Sequence, residues 1–174
     1  MRRPAAVVAT VLALALLAGC GGSGSDSSTS QTTSAGSAEI VSPNSLRETA
    51  SEAIPIYWAG EQESTELELS RPDKDRTYVR YLTGGAKAGD KRADFLTIGT
   101  YAQPNAVASL RRQSKRSGGT LGHAPGNATV YFDRANPQSV YLAYPSAPVE
   151  VEVFDPSFKR ALQLVDSGQI VAVE

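Results

Sequence analysis

The sequence predicts an α+β domain: a mainly antiparallel sheet, with room for some mixed pairing, and helices packed on one face. The clearest sign is residues 149–153, where Val149, Val151 and Val153 alternate with Glu150 and Glu152. Such a strand has one face for a core and one for water, as in antiparallel sheets rather than doubly wound parallel ones. The second sign is order. Segments with helical spacing of apolar residues are separated by runs of strands, in the sequence α, β, β, β, α, β, β, β, α, β.

The N-terminus comes first. Arg2 and Arg3 precede an uncharged apolar run at residues 7–17, and Gly19-Cys20 supplies a small-residue cleavage site. These are the parts of a secretory signal. The run is shorter than the roughly 20 residues that a membrane-spanning helix needs. Cys20 is the single cysteine, and Leu17-Ala18-Gly19-Cys20 resembles the lipobox of bacterial lipoproteins. That resemblance implies removal of residues 1–19, attachment of a diacylglycerol to the Cys20 thiol as a thioether, acylation of the new amino group with a palmitate-type chain, and anchoring at the extracytoplasmic face of the cell membrane. Two or more acyl chains hold stably, at about 0.8 kcal/mol per buried CH₂. A lipidated Cys20 leaves no thiol for a disulfide, a thiolate metal site or a nucleophile.

Residues 20–39 then read as the lipidated cysteine and a tether of Gly, Ser and Thr, too polar to bury a core. A flexible chain of about 18 residues reaches roughly 23 Å. Residues 40–174 are enough for one domain with a core of its own. The formal charge is −1. Cleavage would remove two arginines and make the mature chain more acidic, which argues against a nucleic-acid partner.

Within that domain, Ser45-Leu46-Arg47-Glu48 fits a capping box. Leu46, Ala50, Ala53 and Ile54 follow on one helical face, and Pro55 ends the helix. Residues 65–69 form a weakly alternating strand and Pro72-Asp73-Lys74-Asp75 a turn. Residues 77–82, rich in β-branched and aromatic types, form the next strand. A polar loop runs from Gly84-Gly85 to Arg92, and residues 95–101 return as a strand with Leu96 and Ile98 on its core side. Pro104 opens a second helix, with Ala106, Val107 and Leu110 as its apolar face. Arg111, Arg112, Lys115 and Arg116 crowd its last turns, where cations suit the helix dipole, and Gly118-Gly119 stops it. Strands at 129–133 and 139–144 flank Asn136-Pro137 as a hairpin, and the alternating strand 149–153 follows. Asp155-Pro156 then serves as N-cap and first-turn proline of a third helix, with Phe158, Ala161, Leu162 and Val165 inward. Ser167-Gly168 ends it, and residues 170–173 close the chain as a strand.

No catalytic constellation is evident. His123, the only histidine, lies in Gly-His-Ala-Pro-Gly with no Gly-x-Ser-x-Gly elbow elsewhere and no second histidine for zinc, so it reads as a loop residue. Asp73, Asp75, Asp90 and Asp94 could offer oxygens to Ca²⁺. However, Asp73-Lys74-Asp75-Arg76 alternates acid with base and lacks the glycine and closing glutamate of an EF-hand, so these read as solvated turns. The glycine pairs match neither phosphate-loop spacing. No metal and no cofactor is expected.

Two segments are candidates for binding. The basic run Arg111, Arg112, Lys115 and Arg116 could meet anionic lipid or an envelope polymer, at about 1 kcal/mol per residue, or serve only the helix dipole. Tyr57 and Trp58 are the other. Aromatic rings suit cores and ligand platforms alike. With Tyr78, Tyr101, Tyr131 and Tyr141 they could border a cleft for a cell-wall glycan or small molecule. Their segment, Pro55-Ile56-Tyr57-Trp58-Ala59-Gly60, resembles one found after the first helix in small secreted or lipid-anchored actinobacterial proteins. That resemblance implies a lineage and no activity. The expected function is therefore a non-enzymatic domain, held to the membrane through Cys20, that presents a protein- or ligand-binding surface to an envelope protein or glycan. The alternatives are a glycan or small-molecule binder built around Trp58, and an envelope hydrolase using paired carboxylates. The sequence sets no oligomeric state.

Overall fold

The computed structural model describes residues 36–50 and 54–174. The signal segment, Cys20, most of the expected tether and Ala53 lie outside the described residues. In chain order the elements are β1 (Ala38–Val41), α1 (Pro43–Thr49), β2 (Tyr57–Trp58), β3 (Glu66–Asp73), β4 (Arg76–Leu82), β5 (Leu96–Ala102) and α2 (Ala106–Gln113). There follow β6 (Gly119–Ala124), a 3₁₀ turn at Pro125–Asn127, β7 (Ala128–Asp133), β8 (Ser139–Ala143), β9 (Val149–Phe154), α3 (Phe158–Asp166) and β10 (Val171–Ala172).

Eight strands pair antiparallel in one sheet, in the order β1-β3-β4-β5-β9-β8-β7-β6. The short ribbon β10-β2 forms separately. The α+β class and the antiparallel sheet are as the alternation predicts, and the described residues form a single domain. β3 carries a bulge between Ser70 and Asp73. Pro72 sits inside it, where a missing N–H costs no ladder bond.

Period-2 alternation sorts the sheet into two unlike faces. On one, Leu67 and Leu69, Val79 and Tyr81, Leu96 and Ile98, Val140 and Leu142, and Val149, Val151 and Val153 form a continuous buried core. Leu46 of α1, Tyr57 and Trp58 of β2, and Ala161, Leu164 and Val165 of α3 close over it. Polar groups tie down this cover. The Tyr81 hydroxyl accepts from the Ala59 N–H at 2.7 Å and donates to the Gly60 carbonyl at 3.0 Å. The Thr100 hydroxyl accepts from the Tyr57 N–H at 3.2 Å, and the Tyr144 hydroxyl donates to the Ile170 carbonyl at 2.8 Å. Tyr57 and Tyr144 also stack at 5.1 Å.

The expectation of helices on one face holds for α1 and α3. Helix α2 lies on the other: its Ala106 and Leu110 pack with Tyr131 and Ala143, the opposite-facing residues of β7 and β8. The reason is local. Its stripe is too narrow to join the main core, and Gly119 begins β6 directly beneath it. A Cβ at Gly119 would meet the Ser114 carbonyl oxygen at 2.7 Å, so only glycine permits this approach.

Several boundaries differ from expectation. Ser42, not Ser45, caps α1, its hydroxyl accepting from the Ser45 N–H at 3.0 Å, with Pro43 in the first turn. The helix ends at Thr49, before Ile54. Ser157, not Asp155, caps α3. Asp155 is buried and braces the turn, accepting from the Ser157 N–H at 2.8 Å and from Arg160 at 3.1 Å. β1 takes in Ala38 and Glu39, at the end of the expected tether, because β3 offers them pairing partners. β2 and β6 do not stand out in the sequence. β6 contains two glycines and forms by pairing with β7.

Candidate functional site

The second face of the sheet is polar, and α2 covers its β6-β7-β8 end and reaches β9. Over β3, β4, β5 and β9 it opens into a cleft of about 510 Å³. Strand alternation supplies the floor: Glu68 and Ser70, Tyr78 and Arg80, Thr97 and Gly99, Glu152 and Phe154. These are the residues between the core positions of the same strands. Ala38 and Pro72 form one wall, and Gly89, Arg92 and Ala93 of the β4–β5 loop form the other. That loop is held by its own small core of Leu82, Ala86 and Phe95.

At one end of the floor, Glu68 and Arg80 are cross-strand neighbours joined at 2.7 Å. The Glu68 side chain is only 1% exposed. Its second oxygen accepts from the Gly89 N–H at 2.6 Å, so the carboxylate pins the loop over the sheet. Arg80 donates to the Arg92 carbonyl at 3.0 Å, from the sheet side. Both Arg80 and Arg92 lie against the Phe95 ring, at 5.1 and 4.9 Å. Arg92 is also held by Asp90 at 2.9 Å and lies near Asp94 at 3.6 Å. A buried charge is tolerable only when so paired and hydrogen-bonded.

At the other end Glu152 gathers three hydroxyls. Tyr101 donates to Oε2 at 2.5 Å, while Ser139 and Tyr141 donate to Oε1 at 2.7 and 3.2 Å. The register explains how Tyr101 arrives there. Glu152 stands opposite Gly99, and Tyr101 stands opposite Glu150, so the Tyr101 ring leans diagonally across Gly99. A Cβ at Gly99 would lie 3.0 Å from the ring, and the missing side chain is what makes the reach possible. The electrostatics follow. Burial, then the bond to Glu152, pushes the Tyr101 phenol far above its ordinary range. Burial and the Glu152 charge push Tyr141 up to about 12. The Glu150 carboxyl is also raised, by burial and then by the Glu152 charge. Tyr78 meets Tyr101 edge-on at 5.9 Å.

Of the residues singled out in the sequence, Tyr78 lines the cleft and Tyr101 and Tyr141 hold Glu152, Tyr131 packs under α2, and the others fall elsewhere. Tyr57 and Trp58 are 6% and 7% exposed and belong to the core. Arg47 lies over the Trp58 ring at 5.3 Å. The aromatic cleft expected around Trp58 does not form there, because β2 turns both rings onto the apolar face. The cleft that does form uses Tyr78, on the opposite side of the sheet. Arg111, Arg112, Lys115 and Arg116 are all exposed at the end of α2, apart from the cleft. His123 is exposed on β6, an edge strand rather than a loop. Asp73 and Asp90 are engaged with Arg76 and Arg92. Among the described residues, no group of three or more His, Cys, Asp or Glu could hold a metal ion, and no helix is long and apolar enough to cross a membrane.

Sequence reasoning missed Glu68, Arg80, Gly99 and Glu152. Glu152 was visible as a polar position of the best alternating strand, and a glycine inside strand 95–101 signals a close approach. Which strand faces it was not legible. No family model matches the chain, and neither a curated protein nor a solved structure matches it.

Proposed function

We propose that this chain is a non-enzymatic binding domain, lipid-anchored through Cys20 at the extracytoplasmic face of the membrane, whose ligand site is the cleft on the polar face of the sheet. The observation that supports this reading is the cleft itself. About 510 Å³ lies within the range of small-molecule sites. Its lining mixes apolar side chains with a few polar groups fixed by the sheet, which is the composition that orients a small ligand. Both carboxylates of the floor are already held by hydrogen bonds, which favours a recognition role over proton transfer. The cell-wall glycan reading centred on Trp58 is not retained, since Trp58 is buried.

One experiment tests both parts. The full chain is extracted from membranes in mild detergent and weighed by native mass spectrometry, beside Ala93→Trp, which sets an indole in the cleft from its loop wall. The expected result is a chain that begins at Cys20 and carries acyl groups, with a bound small molecule that is absent from Ala93→Trp. A small molecule retained equally by both chains would remove the cleft as its site. An unmodified full-length mass would remove the anchor.

A further inference from the structure

Resting on the cleft reading, we infer that the ligand is an organic ammonium ion: an apolar body of about ring size whose N–H groups meet Glu152. The argument starts from acceptor capacity. Each carboxylate oxygen offers about two acceptor positions. Oε1 of Glu152 fills both, with Ser139 at 2.7 Å and Tyr141 at 3.2 Å. Oε2 takes Tyr101 alone, at 2.5 Å, and keeps one position in hand. Glu152 lines the cleft, beside the bare backbone of Gly99. A ligand donor therefore completes the set.

Charge decides which donor. The three hydroxyls around Glu152 are neutral, so they orient the carboxylate without cancelling its charge. Glu150, two residues along the same strand face, adds a second carboxyl. Its raised affinity for protons has the Glu152 charge as one of its causes. The two guanidinium groups of the cleft are already engaged: Arg80 with Glu68, and Arg92 with Asp90 and Asp94. The lining carries two carboxylates, Glu68 and Glu152, and two guanidinium groups; with both guanidinium groups paired to other carboxylates, an anion would meet the Glu152 charge with no free cation to offset it. A neutral hydroxyl would fill the acceptor position and leave the charge uncompensated. A cation does both, and one taken out of water gains more from a carboxylate than it would in bulk. The rest of the lining selects an organic cation over a bare one, since Ala38, Pro72, Tyr78, Ala93 and Phe154 offer apolar surface to its body. An aromatic neighbour such as Tyr78 also favours ammonium groups.

The test uses three probes that share a benzyl group: benzylamine, benzyl alcohol and phenylacetate. Each is titrated by calorimetry into the full chain in neutral detergent micelles, with protein-free micelles as the blank. Benzylamine is expected to bind at least about tenfold more tightly than the alcohol, a ratio that corresponds to roughly 1.4 kcal/mol. Phenylacetate is expected to be weakest. Glu152→Gln should bring benzylamine down to the alcohol's level, and Ala93→Trp should weaken all three probes. Equal binding of the three probes to the wild-type chain, or no binding of the amine, overturns the ammonium assignment whatever the variants do. The same holds if the amine preference survives in a folded Glu152→Gln chain. In those cases the cleft stands as the site wherever Ala93→Trp still abolishes binding. Amine binding that is unchanged in Ala93→Trp overturns the cleft reading as well.

Discussion

The two faces of the central sheet are built from the same strands and do opposite things. Ile98 and Gly99 are adjacent in β5. Ile98 is fully buried under the covering elements, while Gly99 faces the cleft side, buried beneath the Tyr101 ring that crosses it. Val153 and Glu152 divide β9 in the same way. On the apolar face, hydroxyls serve to fasten the cover, as Tyr81 does for Ala59 and Gly60. On the polar face, hydroxyls converge on a carboxylate. Stability is thus concentrated on one side, which leaves the other free to keep charged groups in fixed geometry at modest stability cost. This division can be probed from each side.

The largest expected effect is on the apolar side. Ile98→Ala leaves a cavity in the middle of the core and should lower the unfolding free energy by about 2–5 kcal/mol in urea denaturation. A loss under about 1 kcal/mol would mean the covering elements collapse into the gap, and the contrast between faces would weaken. Next comes Gly99→Ala on the cleft side. Its methyl group pushes the Tyr101 ring from Glu152. The strain is partly offset by the lower entropy of the unfolded chain, for a net cost of about 1 kcal/mol. Its sharper readout is an ultraviolet titration, where Tyr101, released from Glu152, should ionise at lower pH than in the wild-type chain. Unchanged tyrosine titration would show that the ring does not need Gly99.

The smallest effect concerns Glu150. Its carboxyl binds protons more tightly in the folded chain than its ordinary value of 4.5. Its contribution to stability is therefore most favourable in acid and declines as pH rises from that ordinary value through the raised one. Glu150→Gln removes the decline. The variant should be more stable than wild type at neutral pH, by about 0.5 kcal/mol for a half-buried group. It should show no gain at a pH well below both values. A gain of the same size in acid would assign the effect to packing and not to the burial of the Glu150 charge beside Glu152.

How much of this was legible beforehand depends on whether the signal was local. The alternation of residues 149–153 identified β9 and also which of its residues face the core, because a strand's side chains alternate by geometry. The helical spacing around Ala161 and Val165 did the same for α3. Trp58 was legible as either core or platform. Its two-residue strand has no pattern of its own, and pairing with Val171 decided the matter. β6 was hidden by its glycines and exists only because β7 offers partners. The cleft was the least legible feature. Its polar residues come from β3, β4, β5 and β9, and each looked like an ordinary solvent-facing position.

The amino-acid order alone determined what depends on neighbours a few residues apart. This includes the α+β class, the antiparallel habit of the sheet, the faces of the long strands, and the lipobox resemblance at Cys20. Tertiary structure decided what depends on residues far apart in the chain. Strand order set β9 beside β5, which put Glu152 opposite Gly99. It also set Arg80 opposite Glu68, and it placed α2 across one end of the polar face so that the other end stayed open. Local periodicity records which side of a strand meets water. It does not record which strand lies alongside, because every strand offers the same backbone ladder and the side-chain pairs that select a partner are weak and meet only across the fold.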